Sequence, residues 1–243
     1  MRRFLAAVSF LTIIPAPDSG IAPGRAAALF PLVGALLGGA GAGLFLAANA
    51  VMPVSLAALA TVAFWTVIGG VLHEDGLADV ADAMRAGRSR AKMMAILKDS
   101  RIGTYGAAAI ALSLIARWQA LEHAPVARVL TICIAAQAVP RAAMVALAWV
   151  SRPAGDGLGL AFSSSLTTAA AIAAIVEGVA AALLTGWRPA LLIVAGCYVF
   201  VRVARWYFYR RIGGVNGDCL GATEQLLEVF ILILFASPKL YDF

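Results

Sequence analysis

Three short polar segments interrupt an otherwise apolar chain, and each carries side chains that could do chemistry. The first runs from His73 to Asp82. In a helix, Asp75, Asp79 and Asp82 would stand at positions i, i+4 and i+7 and would share one face. Three carboxylates so placed repel one another unless a cation lies between them. Mg²⁺ takes oxygen ligands of this kind and shares them with substrate phosphates, so the segment predicts a magnesium site.

The roles within this first segment follow from the types of its side chains. His73 could act as a base, a ligand or an orienting hydrogen-bond donor, and these alternatives stay open. The structural alternative for the carboxylates is a solvated acidic loop that caps a helix. Unpaired carboxylates at a membrane boundary, however, cost free energy. We expect catalysis from His73 and Asp82, and we expect the metal to be bound by Glu74, Asp75, Asp79 and Asp82.

The second segment, Lys98–Gly106, combines basic side chains with glycines. Glycine lets backbone N–H groups come close to an anion, and Lys98 and Arg101 add positive charge, which together indicate phosphate binding. The alternative is a basic flank that orients the next membrane helix. Ser89 is placed as the N-cap of a short amphipathic helix that leads into the segment along the membrane surface. The residues predicted to bind substrate here are Lys98, Asp99, Ser100, Arg101, Gly103, Thr104, Tyr105 and Gly106.

The third segment, Gly213–Glu224, is a glycine-rich turn between two apolar runs. Its glycines would let the chain fold back over a helix bundle. We predict that a carboxylate of Asp218 or Glu224 lies close enough to the aspartates of the first segment to share a metal or a substrate. The alternative is a plain connector with a helix-capping acid. The residues predicted to bind substrate here are Asn216, Gly217, Asp218 and Glu224.

The elements that must position these segments are membrane helices. Apolar residues make up 62% of the 243, charged residues 13%, and the mean hydropathy is +0.90. A soluble fold has no interior large enough to bury this much apolar surface, so we expect an all-α, polytopic helical bundle in which residues 1–243 form one integral membrane domain. The N-terminal run Phe4–Ile14 is too short to span and is expected to be re-entrant or interfacial. Six spans are predicted at about 28–50, 54–72, 104–121, 126–150, 167–186 and 189–209, with a shorter seventh at 223–237.

The distribution of basic residues predicts the orientation. The formal charge is +6, but the Lys and Arg residues fall mostly between apolar runs, so they indicate topology rather than binding of nucleic acid. With the N-terminus in the cytoplasm, the positive-inside rule holds, and the opposite side keeps only Arg128, Arg188 and Lys239. The motif loops at about 73–104 and 210–224 then share the cytoplasmic face of a bacterial inner membrane.

At these residues the sequence resembles the cobalamin synthase family, also called adenosylcobinamide-GDP ribazoletransferase. The resemblance rests on His73–Asp79, Lys98–Gly106 and Asn216–Glu224, with support from Phe10–Pro15 and Phe30–Gly34, and covers essentially the whole chain. The sequence departs from the family's usual pattern at two places. Ala83 and Met84 follow Asp82, and Asn216 and Cys219 stand where threonines are common in the family. These departures spare the carboxylates.

The resemblance implies a Mg²⁺-dependent phosphotransfer. A hydroxyl of α-ribazole or its 5′-phosphate attacks adenosylcobinamide-GDP at the phosphorus linked to cobinamide, and GMP leaves. The expected partners are therefore these small molecules and the lipid bilayer, and assembly into a homo-oligomer is compatible with the sequence. One alternative is a CDP-alcohol-type phosphotransferase that acts on a lipid, which would need a second pair of helix-borne aspartates where Asp99 stands alone. Another is a cation transporter, which would carry its acids near the bilayer midplane rather than at one face.

Overall fold

The computed structural model describes residues 1–17 and 20–237, and helices account for nearly all the regular structure there, as the composition predicted. Lys239, assigned above to the outer side, lies outside this range. Within the described part, the one isolated β-bridge pairs Pro153 with Val215. The helices are α1 Arg2–Leu11, α2 Pro23–Ala26, α3 Phe30–Asn49, α4 Val54–Ile68, α5 Leu72–Ala86, α6 Arg90–Ile96, α7 Thr104–Glu122, α8 Val129–Trp149, α9 Leu158–Ser165, α10 Thr168–Leu183, α11 Trp187–Ile212 and α12 Gly217–Ala236.

The helices of a multi-pass membrane protein are present. Four stretches among the described residues are long and apolar enough to cross a bilayer, namely Pro23–Asn49, Val126–Trp149, Trp187–Ile212 and Gly217–Ala236. Two bent pairs, α4 with α5 and α9 with α10, raise the number to as many as six. The predicted span 104–121 is helical as α7, but α7 belongs to neither group because it is less apolar.

Several predicted boundaries are wrong at the polar segments. The predicted loop 73–104 contains α5 and α6. The seventh span, predicted at 223–237, is the 20-residue helix α12, which begins at Gly217. The predicted span 54–72 stops at Ile68, where Gly70 and Val71 take left-handed φ values of 63° and 59°. After this turn α5 runs at 86° to α4. The predicted loop 210–224 is mostly helix, because the Asn216 side chain accepts a hydrogen bond from the Cys219 N–H at 3.0 Å and caps α12 at its start.

Small residues set the spacing of the bundle, as expected for membrane helices. The backbone of α3 lies so close to α8 that a Cβ on Gly34 or Gly38 would stand 2.3 Å from a carbonyl oxygen of α8. Gly39 and Gly43 differ, because a Cβ added to either of them would have no atom within 4 Å. The short α1 packs through Ala7 and Leu11 onto this bundle.

Candidate active site at the junction of α5 and α12

Two glycines bring the first and third polar segments together. A Cβ on Gly76 would lie 2.9 Å from the carbonyl oxygen of Asp218, and a Cβ on Gly221 would lie 3.3 Å from the Cα of His73. The backbones of α5 and α12 therefore touch at the start of both helices. Residues separated by about 140 positions in sequence share one site because neither helix carries a side chain at the contact.

Gly76 provides a direct test of this contact. Replacement by alanine should lower both activity and thermal stability, because the added methyl meets backbone atoms that cannot move aside without separating α5 from α12. We expect a destabilisation of about 1–3 kcal/mol, measured as the shift in thermal unfolding of the detergent-solubilised protein. The matched control is Gly39→Ala, also in a helix but facing open space. Equal activity and equal thermal stability of the two variants would contradict the close contact between the backbones of α5 and α12.

An open cluster of carboxylates lies at this junction. Asp75 is exposed, while Asp79 and Asp218 are half-buried. Partial burial, followed by the negative charges of Asp75, Asp218 and Asp82, raises the pKa of the Asp79 carboxyl to about 7. Asn216 donates from Nδ2 to Asp218 at 2.7 Å and so orients that carboxylate. Asp218 of the third segment is thus an electrostatic neighbour of the first. The sharing of a metal or a substrate, predicted for Asp218 or Glu224, stays a prediction.

The chemistry of this cluster fits a magnesium ion that is shared with a substrate. No cation of the described residues forms an ion pair with Asp75, Asp79 or Asp218. No three His, Cys, Asp or Glu side chains in the described chain converge into a complete metal cage. Mg²⁺ does not need such a cage, since it commonly binds through one or two carboxylates, several waters and substrate phosphates. The oxygen ligands present therefore suit a substrate-bridged ion.

Asp82 is placed differently from the other aspartates. Its carboxylate is buried and accepts hydrogen bonds from the N–H groups of Gly103 at 2.7 Å and Gly106 at 2.9 Å. The sequence assigned these two glycines to a substrate phosphate, and that assignment is corrected here. Their N–H groups do bind an anion, but the anion is Asp82, which thereby fixes the start of α7 beside the acidic cluster. The metal and catalytic roles of Asp82 stay predictions. In either role, Asp82 would also keep its hydrogen bonds to Gly103 and Gly106.

Glu74 faces a buried ionic network rather than the open cluster. Its Oε1 accepts hydrogen bonds from Arg117 at 2.9 Å and from Thr66 at 3.2 Å, and Arg117 also lies 3.3 Å from Glu228. All three charged side chains are buried. Glu74 was predicted to bind the metal, but in the structure it has a structural role. Its carboxylate pairs with the Arg117 guanidinium, which connects α7 to α5 and α12.

A second buried set connects His73 to α8. His73 Nδ1 lies 3.1 Å from Glu224 Oε2, and Glu224 Oε1 lies 2.8 Å from Arg141 Nη1. Glu224, which the sequence assigned to the substrate, is fully buried and reaches the site only through His73. An imidazole that donates from Nδ1 to this carboxylate keeps Nε2 as an acceptor. His73 Nε2 is buried without a hydrogen-bond partner in the described structure.

The second polar segment lies at the rim of the site. Lys98 pairs loosely with Asp156 at 3.6 Å. Exposed Arg101 pairs with half-buried Asp99 at 2.7 Å. The side-chain and backbone hydrogen bonds from Arg101 lower the pKa of Asp99 to about 2. Arg85 lies over the ring of exposed Tyr105. The substrate-binding role of this segment stays a prediction for Lys98, Asp99, Ser100, Arg101, Thr104 and Tyr105, of which Lys98 alone lines a cavity described below.

Two neighbouring cavities meet at Gly159, Gly217 and Asp218. The first has a volume of about 200 Å³ and is lined on its polar side by His73, Asp75 and Asp218. The second has a volume of about 250 Å³, and its polar lining includes Lys98, Asp156, Asn216 and Asp218. Asp218 borders both cavities, so two separate ligands could meet beside it.

The sequence missed part of this site. The apolar side of the first cavity contains Phe10, Phe30 and Phe162, whose ring centroids lie 5.4 to 6.1 Å apart in stacked pairs. They come from α1, α3 and α9, and no spacing in sequence connects three such remote segments. Arg117 and Arg141 lie inside the predicted spans 104–121 and 126–150, and no role was predicted for either of them. A basic residue in a span is itself a sign of a buried acid, and that signal pointed to Glu224 and Glu228.

Comparison with known proteins agrees with these motifs. The family model described as cobalamin-5-phosphate synthase matches residues 3–236. A protein of Geotalea daltonii is 35% identical over 98% of both chains, and one of Bradyrhizobium diazoefficiens is 38% identical over 95% of this chain and 92% of its own. One of Mesorhizobium japonicum is 39% identical over 93% and 89%. All three are named adenosylcobinamide-GDP ribazoletransferase. No solved structure matches the chain.

Proposed function

The chain belongs to the cobalamin-5-phosphate synthase family, and from that premise we propose that it catalyses the reaction for which its relatives are named. It is an adenosylcobinamide-GDP ribazoletransferase of cobalamin synthesis. The observation that carries the proposal is the contact of α5 with α12, which places Asp218 beside Asp75 and Asp79. Motifs that are remote in sequence thereby contribute to one acidic site beside two cavities.

The proposed step is an exchange at one phosphorus atom. An oxygen–phosphorus bond forms between the ribazole hydroxyl and the phosphate attached to cobinamide. The bond from that phosphorus to the bridging oxygen breaks, and its electron pair leaves with GMP. The hydroxyl proton needs an acceptor. His73 lines the first cavity, and its buried Nε2 has no hydrogen-bond partner among the described residues, so we assign the proton to that nitrogen. Glu224 and Arg141 position that imidazole from behind.

Positioning and charge neutralisation are the main requirements of phosphoryl transfer. Mg²⁺, when bound, would neutralise phosphate charge and align the reacting oxygens. One or two of the carboxylates of Asp75, Asp79 and Asp218 would hold it together with water and substrate phosphates. Lys98 would contribute a further positive charge from the neighbouring cavity. Asp82 keeps this arrangement rigid by binding the N-terminus of α7.

Reconstitution in lipid is the test of the activity. Purified protein is incubated with adenosylcobinamide-GDP, α-ribazole and Mg²⁺, and the release of GMP is measured together with the corrinoid product. We expect GMP only when both substrates and a divalent ion are present. GMP release without α-ribazole would indicate hydrolysis instead of transfer. No GMP with either α-ribazole or its 5′-phosphate would refute the proposed function.

We further propose that the acidic site faces the cytoplasm of a bacterial inner membrane. Ser89 before α6 and Arg210 near the end of α11 are exposed and lie toward the site, whereas Val51 lies in the turn at the far end of α4. Cysteines placed at Ser89 and Arg210 should react with a membrane-impermeant thiol reagent only in inside-out vesicles, and one at Val51 only in right-side-out vesicles. The native cysteines Cys133, Cys197 and Cys219 are buried and give a low background. Labelling of Ser89 and Arg210 from opposite sides would contradict a shared cytoplasmic face.

The transporter alternative is less well supported by the buried acids. Glu224 and Glu228 do lie inside the apolar helix α12, as a transport pathway would require. Each of them, however, is paired with an arginine, Arg141 and Arg117 respectively. A carboxylate held by a buried guanidinium is fixed in place rather than open to a passing cation.

A further inference from the structure

The apolar half of the first cavity has no role in the chemistry proposed above. Phosphoryl transfer needs charge and alignment, which the polar half supplies. Opposite that half, the rings of Phe10, Phe30 and Phe162 lie within 18° to 22° of parallel. Phe30 and Phe162 are almost fully buried, whereas Phe10 on α1 is half-buried. Ile13, which follows α1, donates its N–H to the Ile68 carbonyl at 2.9 Å, so α1 is fixed against the turn that leads into α5.

The volume of the cavity limits what it can hold. An apolar cavity of roughly 150 Å³ accepts one benzene molecule. The whole first cavity, with its polar side, has a volume of about 200 Å³, so it is suited to one small aromatic base. The corrin macrocycle of cobinamide is far too large for it. Two bases take part in the proposed reaction, the guanine of the nucleotide-activated substrate and the benzimidazole of α-ribazole.

The lining favours the benzimidazole. Guanine carries amino, imino and keto groups that lose their hydrogen bonds to water when buried, and each unpaired group would cost free energy. On the apolar side, the phenylalanine rings, Leu72 and Met144 offer no strong partner to such groups. The acids on the polar side, Asp75 and Asp218, are those that the proposed reaction uses at the phosphate. The base of α-ribazole is a dimethylated benzimidazole, two fused rings with no exocyclic polar group. Flat apolar rings are bound well by aromatic side chains, through burial and offset stacking.

We infer that the first cavity binds the base of α-ribazole against Phe10, Phe30 and Phe162, an assignment that rests on the proposed function. The ribose then lies toward His73 and Asp75, which is where its hydroxyl must be for attack. The diphosphate of adenosylcobinamide-GDP occupies the second cavity beside Lys98 and Asn216. Asp218 borders both cavities, so the two substrates meet at the acidic cluster.

The test separates the two substrates kinetically. Phe162→Leu and Phe10→Leu keep apolar bulk but lose the ring face, so each should raise KM for α-ribazole by on the order of 5- to 100-fold. The KM for adenosylcobinamide-GDP should not change. Phe64→Leu is the matched control, because Phe64 is partly buried on α4 and lines neither cavity. If Phe162→Leu does not fold, Phe10→Leu carries the test, because Phe10 is only half-buried.

Other outcomes would overturn the assignment. A rise in KM for adenosylcobinamide-GDP alone would mean that the cavity binds guanine, and kinetics equal to those of Phe64→Leu would mean that it binds neither base. Equilibrium dialysis of α-ribazole against the lipid-reconstituted protein provides a readout that does not need turnover. If the wild-type protein binds α-ribazole and Phe10→Leu binds it more weakly, the inference stands even where GMP release fails. Equal binding by both proteins would refute the inference while leaving the proposed transfer intact.

Discussion

Replacing Asp79 with asparagine is expected to lower the rate of GMP release by on the order of 10²–10³-fold, the usual loss when one preorganised electrostatic contact to a transition state is removed. Partial burial, followed by the negative charges of Asp75, Asp218 and Asp82, raises the pKa of Asp79 to about 7. Such mutual repulsion identifies a place where a cation would be stabilised. Asparagine keeps the shape of the side chain but removes the charge that would hold Mg²⁺.

The measurement is turnover in lipid at increasing Mg²⁺ concentration. Asp79→Asn should need more Mg²⁺ for half-maximal activity, whereas its thermal unfolding without metal should be unchanged or improved, because a repulsive charge has been removed. Glu122→Gln is the matched control. Glu122 is the last residue of α7 and accepts a hydrogen bond from the Ser55 hydroxyl, at the end of the bundle opposite the cluster. Wild-type turnover by Asp79→Asn at limiting Mg²⁺ would contradict a metal site at the cluster.

The sequence was sufficient for the class of fold and for part of the site because those features are local. Apolar runs long enough to span a bilayer are visible in composition alone, and the spacing of Asp75 and Asp79 fixes their shared helix face. The third segment, Gly213–Glu224, could be assigned to the same site because the basic residues predict its side of the membrane. These inferences need no knowledge of how the helices pack.

The parts that sequence did not provide depend on tertiary contacts. By its spacing, Asp82 should share a helix face with Asp75 and Asp79. Its carboxylate is nevertheless bound by the N–H groups of Gly103 and Gly106, which lie at the start of α7. Glu74 and Asp75 are adjacent, but one side chain enters the bundle and the other faces the open cluster, because consecutive helix positions differ by about a third of a turn. Glu74 is held in a buried ion pair and Asp75 is not, because Arg117 lies beside Glu74.

Arg117→Met is expected to destabilise the protein by about 3–5 kcal/mol, the cost of leaving buried charges without their partner. The guanidinium is 1% exposed and lies 2.9 Å from Glu74 and 3.3 Å from Glu228. Its removal leaves two carboxylates facing one another inside the bundle, on α5 and α12. The loss should therefore loosen the same pair of helices that builds the acidic cluster, so activity should fall together with stability.

Thermal unfolding in detergent can be followed with a thiol-reactive fluorophore, because Cys133, Cys197 and Cys219 are buried and react only after unfolding. Arg88→Met is the control for the same chemical change at an exposed position. The double variant Arg117→Met/Glu228→Gln should recover part of the stability, since only Glu74 then stays charged and it keeps the hydroxyl of Thr66 as a donor. A network of independent contacts would instead make the double variant the less stable of the two, because the two losses would add.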